Sequence, residues 1–181
     1  MPCPRWNLII VCVGSVNPVN HWTQSAVEWE ECIESNLLLP VRLVRSLWCL
    51  REPNASVCFL AGSNPNKVHL NYSAYAVAKM ALLKVCEHFD AESDAKFFAL
   101  NPGYVDTKIH KPSIKAGVDL SDRTSTPIER IYGCLKWCVA QEKEVIGGRN
   151  ICVSDSWDAK TYDFGAYLKA NPNLFKLRRV E

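Results

Sequence analysis

The sequence predicts an α/β fold, a parallel sheet with helices on both faces, and three observations carry that prediction. Four short apolar runs, Leu8 to Val13, Ser56 to Ala61, Phe97 to Leu100 and Asn150 to Val153, lack the polar alternation of a half-exposed strand and have the composition of strands buried on both sides. Segments of helical periodicity separate them, in the order strand, helix, strand, helix, strand, loop, helix, strand, which calls for right-handed crossovers. Three of the runs end in turn signals, Gly14-Ser15, Gly62-Ser63-Asn64-Pro65-Asn66 and Asn101-Pro102-Gly103. Ligands in such sheets bind beyond the carboxyl ends of the strands, where these turns fall.

A length of 181 residues with 48% hydrophobic content predicts one domain with a real core, and residues 155–181 read as a C-terminal tail. The net charge of +2 favours no anionic partner, and the Lys176 to Arg179 cluster reads as a solvated tail rather than a nucleic-acid patch. Nine cysteines form no CxxC and no Cys/His knuckle. Cys12, Cys58 and Cys152 lie in strand runs as small hydrophobes, so reduced thiols and a cytoplasmic location are expected. The four histidines are dispersed and predict no metal site. Leu8 to Val13, six apolar residues, is too short for a signal segment or a membrane span.

After the first strand, Ser25-Ala26-Val27-Glu28 is a capping box that should start a helix. Ile33, Leu37, Val41, Val44 and Trp48 give that helix one apolar face, with a kink or interruption expected at Pro40. Asn36 sits in its middle, where an exposed polar residue is the plain reading. The second helix covers Asn71 to Phe89. Residues 108–125 lack periodicity and predict a mobile loop. Thr126-Pro127-Ile128-Glu129 is a second capping box with Pro at the first helical position, opening a helix to about Gln141. A short amphipathic piece, Tyr162 to Lys169, reads as surface packing or a dimer contact.

Tyr75 and Lys79 share one face of the second helix. A phenol of pKa ~10 is a poor acid at neutral pH, but a neighbouring ammonium favours the phenolate, which makes Tyr75 a candidate general acid/base. The spacing fits a solvated helix pair equally well, because Tyr104/Lys108 and Tyr132/Lys136 repeat it. What distinguishes Tyr75 is its setting: Ala74, Ala76, Ala78 and Ala81 keep its helix thin, a strand run ends just before it, and Asn101-Pro102-Gly103-Tyr104-Val105-Asp106-Thr107 follows the next strand.

In that order of strand, serine, YxxxK helix, strand, Pro-Gly and threonine, the chain from about Leu8 to Ser154 resembles the short-chain dehydrogenases/reductases. The resemblance implies a Rossmann-like sheet missing the first strands of the family fold. It also implies transfer of a hydride between NAD or NADP and a small carbonyl or alcohol substrate, and a homodimer through the helices of Asn36 and Tyr75. Tyr75 would be the acid/base, Lys79 would lower its pKa and hold the nicotinamide ribose, and Asn36 would bend its helix and hold a water leading to the lysine. Gly14, Pro102, Gly103, Val105 and Thr107 would complete the cofactor site. The family's serine falls by spacing on Gly62, with Ser63 one residue late, so Ser63 is the catalytic candidate after a one-residue loop shift. Of the family's Asn-Asn-Ala-Gly motif only Gly14 remains, and no Gly-rich GxGxxG turn occurs in the chain. The run Leu8 to Val13 should then be a sheet edge in need of cover. Three readings follow: a truncated dehydrogenase, a non-catalytic binding or regulatory relative, or an enzyme whose nucleotide-binding half belongs to another polypeptide.

Overall fold

The computed structural model describes residues 4–16, 26–62, 68 and 70–178. Strand β1 (Trp6–Val11) leads to helix α1 (Ala26–Ile33), a π-helical turn (Glu34–Leu38) and helix α2 (Leu39–Leu47). Strand β2 (Arg51–Leu60), helix α3 (Ser73–Glu92) and strand β3 (Lys96–Asn101) follow. Helices α4 (Lys111–Lys115), α5 (Ile128–Ala140) and α6 (Lys143–Ile146), strand β4 (Asn150–Cys152) and helix α7 (Phe164–Ala170) come last. The strands are all parallel in the order β1-β2-β3-β4, as the apolar runs predict.

Successive strand residues point to opposite faces, which splits the core into two layers. Val57, Phe59 and Phe97 meet Val44, Leu82 and Cys86 from α2 and α3. Cys58, Phe98, Leu100 and Ile151 meet Cys134, Cys138, Ile146 and Leu168 from α5, α6 and α7. Each fully buried phenylalanine contributes about 2–3 kcal/mol. Lys96, 8% exposed, donates from Nζ to the carbonyls of Val139 and Gln141 at 2.6 Å each and so caps the end of α5.

Several elements differ from the sequence reading for identifiable reasons. Pro40 does not stop its helix. The Leu39 N–H reaches back five residues to the Glu34 carbonyl, and this wider π turn just before the proline absorbs its missing donor. Strand β2 starts earlier than expected, because Arg51 pairs with Trp6 across a bulge in which Asn54 takes a φ of 57°. The loop at 108–125 contains a 3-10 turn and α4, both too short to show periodicity. Pro127 is the N-cap residue of α5 and Thr126 makes no side-chain cap; its N–H bonds the Tyr104 carbonyl at 2.7 Å instead. Ser25 of the first capping box lies outside the described residues.

The C-terminal region is part of the core rather than a surface appendage. Phe164 and Leu168 of α7 are buried, and the Asp163 carboxylate caps this helix by accepting from the Ala166 N–H at 3.0 Å. Beyond it, the Asn150 N–H donates to the Phe175 carbonyl at 3.0 Å, so the tail covers the outer edge of β4. Arg178 pairs with Glu87 at 2.5 Å, so the basic cluster is not a solvated tail; Arg179 lies outside the described residues. No described residue pairs with the outer edge of β1, where Ile10 is 40% exposed. Among the described residues no disulfide forms, no His/Cys/Asp/Glu group could hold a metal, and no helix is long and apolar enough to cross a membrane.

Candidate active site

The site is assembled where the carboxyl ends of β1 and β2 meet the first two turns of α3. Lys79 is 6% exposed, and its Nζ donates to the Leu60 carbonyl at the end of β2, 3.1 Å away. It lies 5.7 Å from the centroid of the Tyr75 ring. Asn36 comes from the π turn, which packs against α3, and its side chain is fully buried. Its Nδ2 donates to the carbonyls of Ser15 at 2.9 Å and Cys32 at 3.0 Å, and its Oδ1 accepts from the Ser15 N–H at 3.2 Å. The exposed-polar reading of Asn36 is therefore wrong. It ties the segment after β1 to the helix that faces α3.

Gly14 shows how close the approach is. Its φ of 151° suits glycine, and a Cβ there would stand 2.5 Å from Asn36 Oδ1 and 3.6 Å from Lys79 Nζ. Asn36 and Lys79 thus converge on one point above the end of β1. Gly62 is tighter still: a Cβ there would overlap the Tyr75 hydroxyl and lie 3.1 Å from Cζ. The phenol occupies the space that a side chain at position 62 would need.

That packing sets the electrostatics. Burial pushes the Tyr75 phenol up to about 12, with Cys32 adding to the shift, and burial pulls the Lys79 ammonium down to about 8. The expected lowering of the phenol by Lys79 is not seen in this arrangement. The ammonium is directed at the Leu60 carbonyl, and desolvation of the phenol dominates.

The other two Tyr/Lys pairs resolve as ordinary surface features. Tyr132 is 60% exposed with Lys136 5.5 Å above its ring, a solvated helix pair. Tyr104 packs on His110, ring centroids 4.9 Å apart, in the segment between β3 and α4. Only at Tyr75 are both members drawn into the protein.

Pro102, Gly103, Val105 and Thr107 follow the end of β3, with Gly103 and Thr107 exposed and Pro102 and Val105 half-buried. The segment from Tyr104 to Thr126 closes on itself through Thr126 N–H to the Tyr104 carbonyl and Asp106 N–H to Ser125 Oγ at 3.1 Å. Ser63 lies outside the described residues. Sequence reasoning missed Cys32, Ser15 and the Leu60 carbonyl as the immediate partners of Asn36 and Lys79, since nothing in their spacing marks them.

The depressed Lys79 pKa gives a stability test. Below pH 8 the lysine is charged both folded and unfolded, and the burial cost is present in full. Between pH 8 and its ordinary 10.5 the folded protein sheds the proton first, so this group adds stability as pH rises. The unfolding free energy of the wild type relative to Lys79→Met should rise by about 3 kcal/mol over that window. A flat difference in urea denaturation would refute the shift.

No protein-family model and no curated protein matches the sequence. Solved structures do match the fold. A short-chain dehydrogenase family protein from Francisella tularensis subsp. tularensis SCHU S4 superposes with a TM-score of 0.69 at 15% identity, over 87% of this chain and 73% of that one. A putative short chain dehydrogenase from Escherichia coli CFT073, complexed with NADPH, gives 0.69 at 18% identity, over 85% and 65%. 4-Hydroxyisoleucine dehydrogenase, complexed with NADH, gives 0.63 at 19% identity, over 81% and 66%. The chain has the Rossmann-like fold of the short-chain dehydrogenases and spans about two thirds of the length of the latter two structures.

Proposed function

We propose that the chain works as an NAD(P)-dependent oxidoreductase of the short-chain dehydrogenase type, interconverting a small carbonyl compound and its alcohol with Tyr75 as the acid/base. The observation that carries this reading is the convergence of Tyr75, Lys79 and Asn36 at the strand ends of a fold whose neighbours hold NADPH and NADH. A bound nicotinamide supplies or accepts the hydride. The nicotinamide and ribose end of such a cofactor suits the residues present: Lys79 to hold the ribose hydroxyls, Thr107 the carboxamide, and the bare backbone of Gly14 and Gly103 to allow close approach. The pyrophosphate has no Gly-rich turn in this sequence to receive it.

In the reducing direction Tyr75 Oη donates a proton to the substrate oxygen. Lys79 beside it favours the phenolate that results once the phenol turns outward, and Asn36 holds the Ser15 segment and the π turn in place beneath the lysine. The segment 108–125 would cover the substrate. We further propose a cytoplasmic homodimer through the outer faces of α1, α2 and α3, where Val27, Leu39 and Val77 are exposed; sedimentation as a monomer would count against it.

One observation favours a second reading, a non-catalytic binding or regulatory relative. The Tyr75 hydroxyl fills the space at Gly62, the position that matches the family serine, and is held there as a neutral phenol. Titration with NADH and NADPH, followed by cofactor fluorescence, separates the two. Micromolar binding with carbonyl turnover that falls at least 100-fold in Tyr75→Phe supports the enzyme. Absence of binding up to millimolar cofactor supports the second reading.

A further inference from the structure

At the amino end of the sheet, where α2 and α3 run out before β2 and β3, the two helices stand apart over a cleft of about 250 Å³. It is far from the candidate active site, because the stretch of α3 from Tyr75 to Glu92 rises roughly 25 Å. Val44 and Phe97, each 1% exposed, form the floor of the cleft, and the half-buried rings of Trp48 and Phe89 form its walls. Both rings pack on Phe97, with centroids 5.8 Å and 5.5 Å from its own. Among the described residues they do not pack on each other, so the space between them stays open.

Two exposed side chains of opposite charge stand at the mouth, Arg45 from α2 and Glu92 from α3. Arg45 makes no ion pair among the described residues. Glu92 has only His88 Nδ1 at 3.9 Å, beyond hydrogen-bond range. Other charges nearby on the same helical layer are matched, Glu34 with Arg42 and Lys84 with Glu87, yet Arg45 and Glu92 are not paired with each other. Ser93, also on the rim, already donates from Oγ to the Phe89 carbonyl at 2.7 Å. An apolar cleft between an unpaired cation and an unpaired anion fits a molecule that carries both charges beside an apolar group. A purely apolar ligand would leave both charges unused, and a simple anion or cation would face one charge of its own sign.

We propose that this cleft binds a free α-amino acid with a large apolar side chain, its carboxylate on Arg45, its ammonium on Glu92 and its side chain between Trp48 and Phe89. A free amino acid carries both charges on one carbon, whereas a peptide carries them at opposite ends. The ligand touches only the half-buried rings and the exposed charges, and Val44 and Phe97 remain beneath them. Both charge contacts are open to solvent, so the affinity should be modest, with a dissociation constant of roughly 1 mM. The site is independent of the catalytic reading. Leu39 and Val77, on the proposed dimer faces, lie toward the other ends of α2 and α3.

The test uses the full chain and L-phenylalanine, with hydrocinnamate and phenethylamine as probes that each lack one of the two charges. L-Phenylalanine should move the Trp48 indole N–H resonance and the Ser93 amide along one saturable isotherm. Each single-charge probe should bind roughly fivefold more weakly, and so should L-phenylalanine to Arg45→Glu or Glu92→Lys, exposed positions where reversal of charge leaves the core untouched. No saturable shift up to the solubility limit, shifts that map away from Trp48 and Ser93, single-charge probes that bind as well as the amino acid, or unchanged affinity in both variants would each overturn the proposal.

Discussion

Replacing Gly62 with serine should expel the Tyr75 hydroxyl from its present place and return the phenol pKa from about 12 toward the ordinary 10. A Cβ at position 62 overlaps the hydroxyl, and the atom in the way is the far end of a side chain rather than backbone, so the tyrosine ring is what moves. Once turned toward the strand ends it regains solvent, and the desolvation that raises its pKa is relieved. Two pKa units correspond to nearly 3 kcal/mol (~2.7) of preference for the neutral phenol. Ultraviolet titration of tyrosinate, compared between wild type and Gly62→Ser with Tyr75→Phe identifying the band, reads this directly. An unchanged pKa would mean that groups other than the Gly62 contact hold the phenol neutral. On the catalytic reading the same variant adds a hydroxyl beside the acid/base, and kcat should rise by roughly 100-fold, the order that one transition-state donor contributes.

Arg149→Met should destabilise the chain by about 3–5 kcal/mol, with a fall in Tm of roughly 10 °C. The guanidinium satisfies the carbonyls of Leu168, Asn171 and Leu174, which end α7 and start the tail. Each hydrogen bond from this charged donor contributes about 1.5–3 kcal/mol and three are lost together, although the Leu168 and Asn171 carbonyls keep backbone donors in the Asn171 and Leu174 N–H groups at 3.1 Å. Removing a buried charge returns part of that sum, since the desolvation cost disappears with it. The carbonyls prevail because methionine has nothing to offer any of the three. Urea denaturation checks the outcome, and a change under 1 kcal/mol would show that charge burial cancels them.

Much of the scaffold is readable from local signals because those signals answer to physics that acts within a few residues. The runs around Val57, Phe98 and Ile151 have no polar alternation because both faces of each strand are covered, and all three lie in the parallel sheet. The Tyr75 helix is apparent from its length and alanine content. Helix α7 was less legible: Phe164 and Leu168 give only two apolar positions, too few to tell a core helix from a surface one. The π turn at Asn36 left no periodic trace, since one extra residue in a turn only shifts the phase of an apolar stripe that Val41 and Val44 resume.

The candidate site divides the same way. Tyr75 and Lys79 could be named from a four-residue spacing, but that spacing recurs at Tyr104 and Tyr132. Burial, which depends on what other segments cover, is what separates the three. The sign of the Tyr75 shift lay beyond the sequence for the same reason. An adjacent ammonium argues for a lower pKa, and only the placement of Gly62, Cys32 and Leu60 shows that desolvation outweighs it.

By itself the sequence determined the strand and helix alternation, the parallel sheet, the rim on which its turns gather and the candidate acid/base pair, because hydrophobic periodicity, turn chemistry and helical spacing are all local. The tertiary structure alone decided that Asn36 is buried beneath the lysine, that the Tyr75 phenol fills the gap at Gly62, and that Arg149 is enclosed without a counter-ion. Those outcomes depend on which distant segments exclude water from a given atom, and solvent exclusion is a property of the packed chain that no short stretch of residues carries.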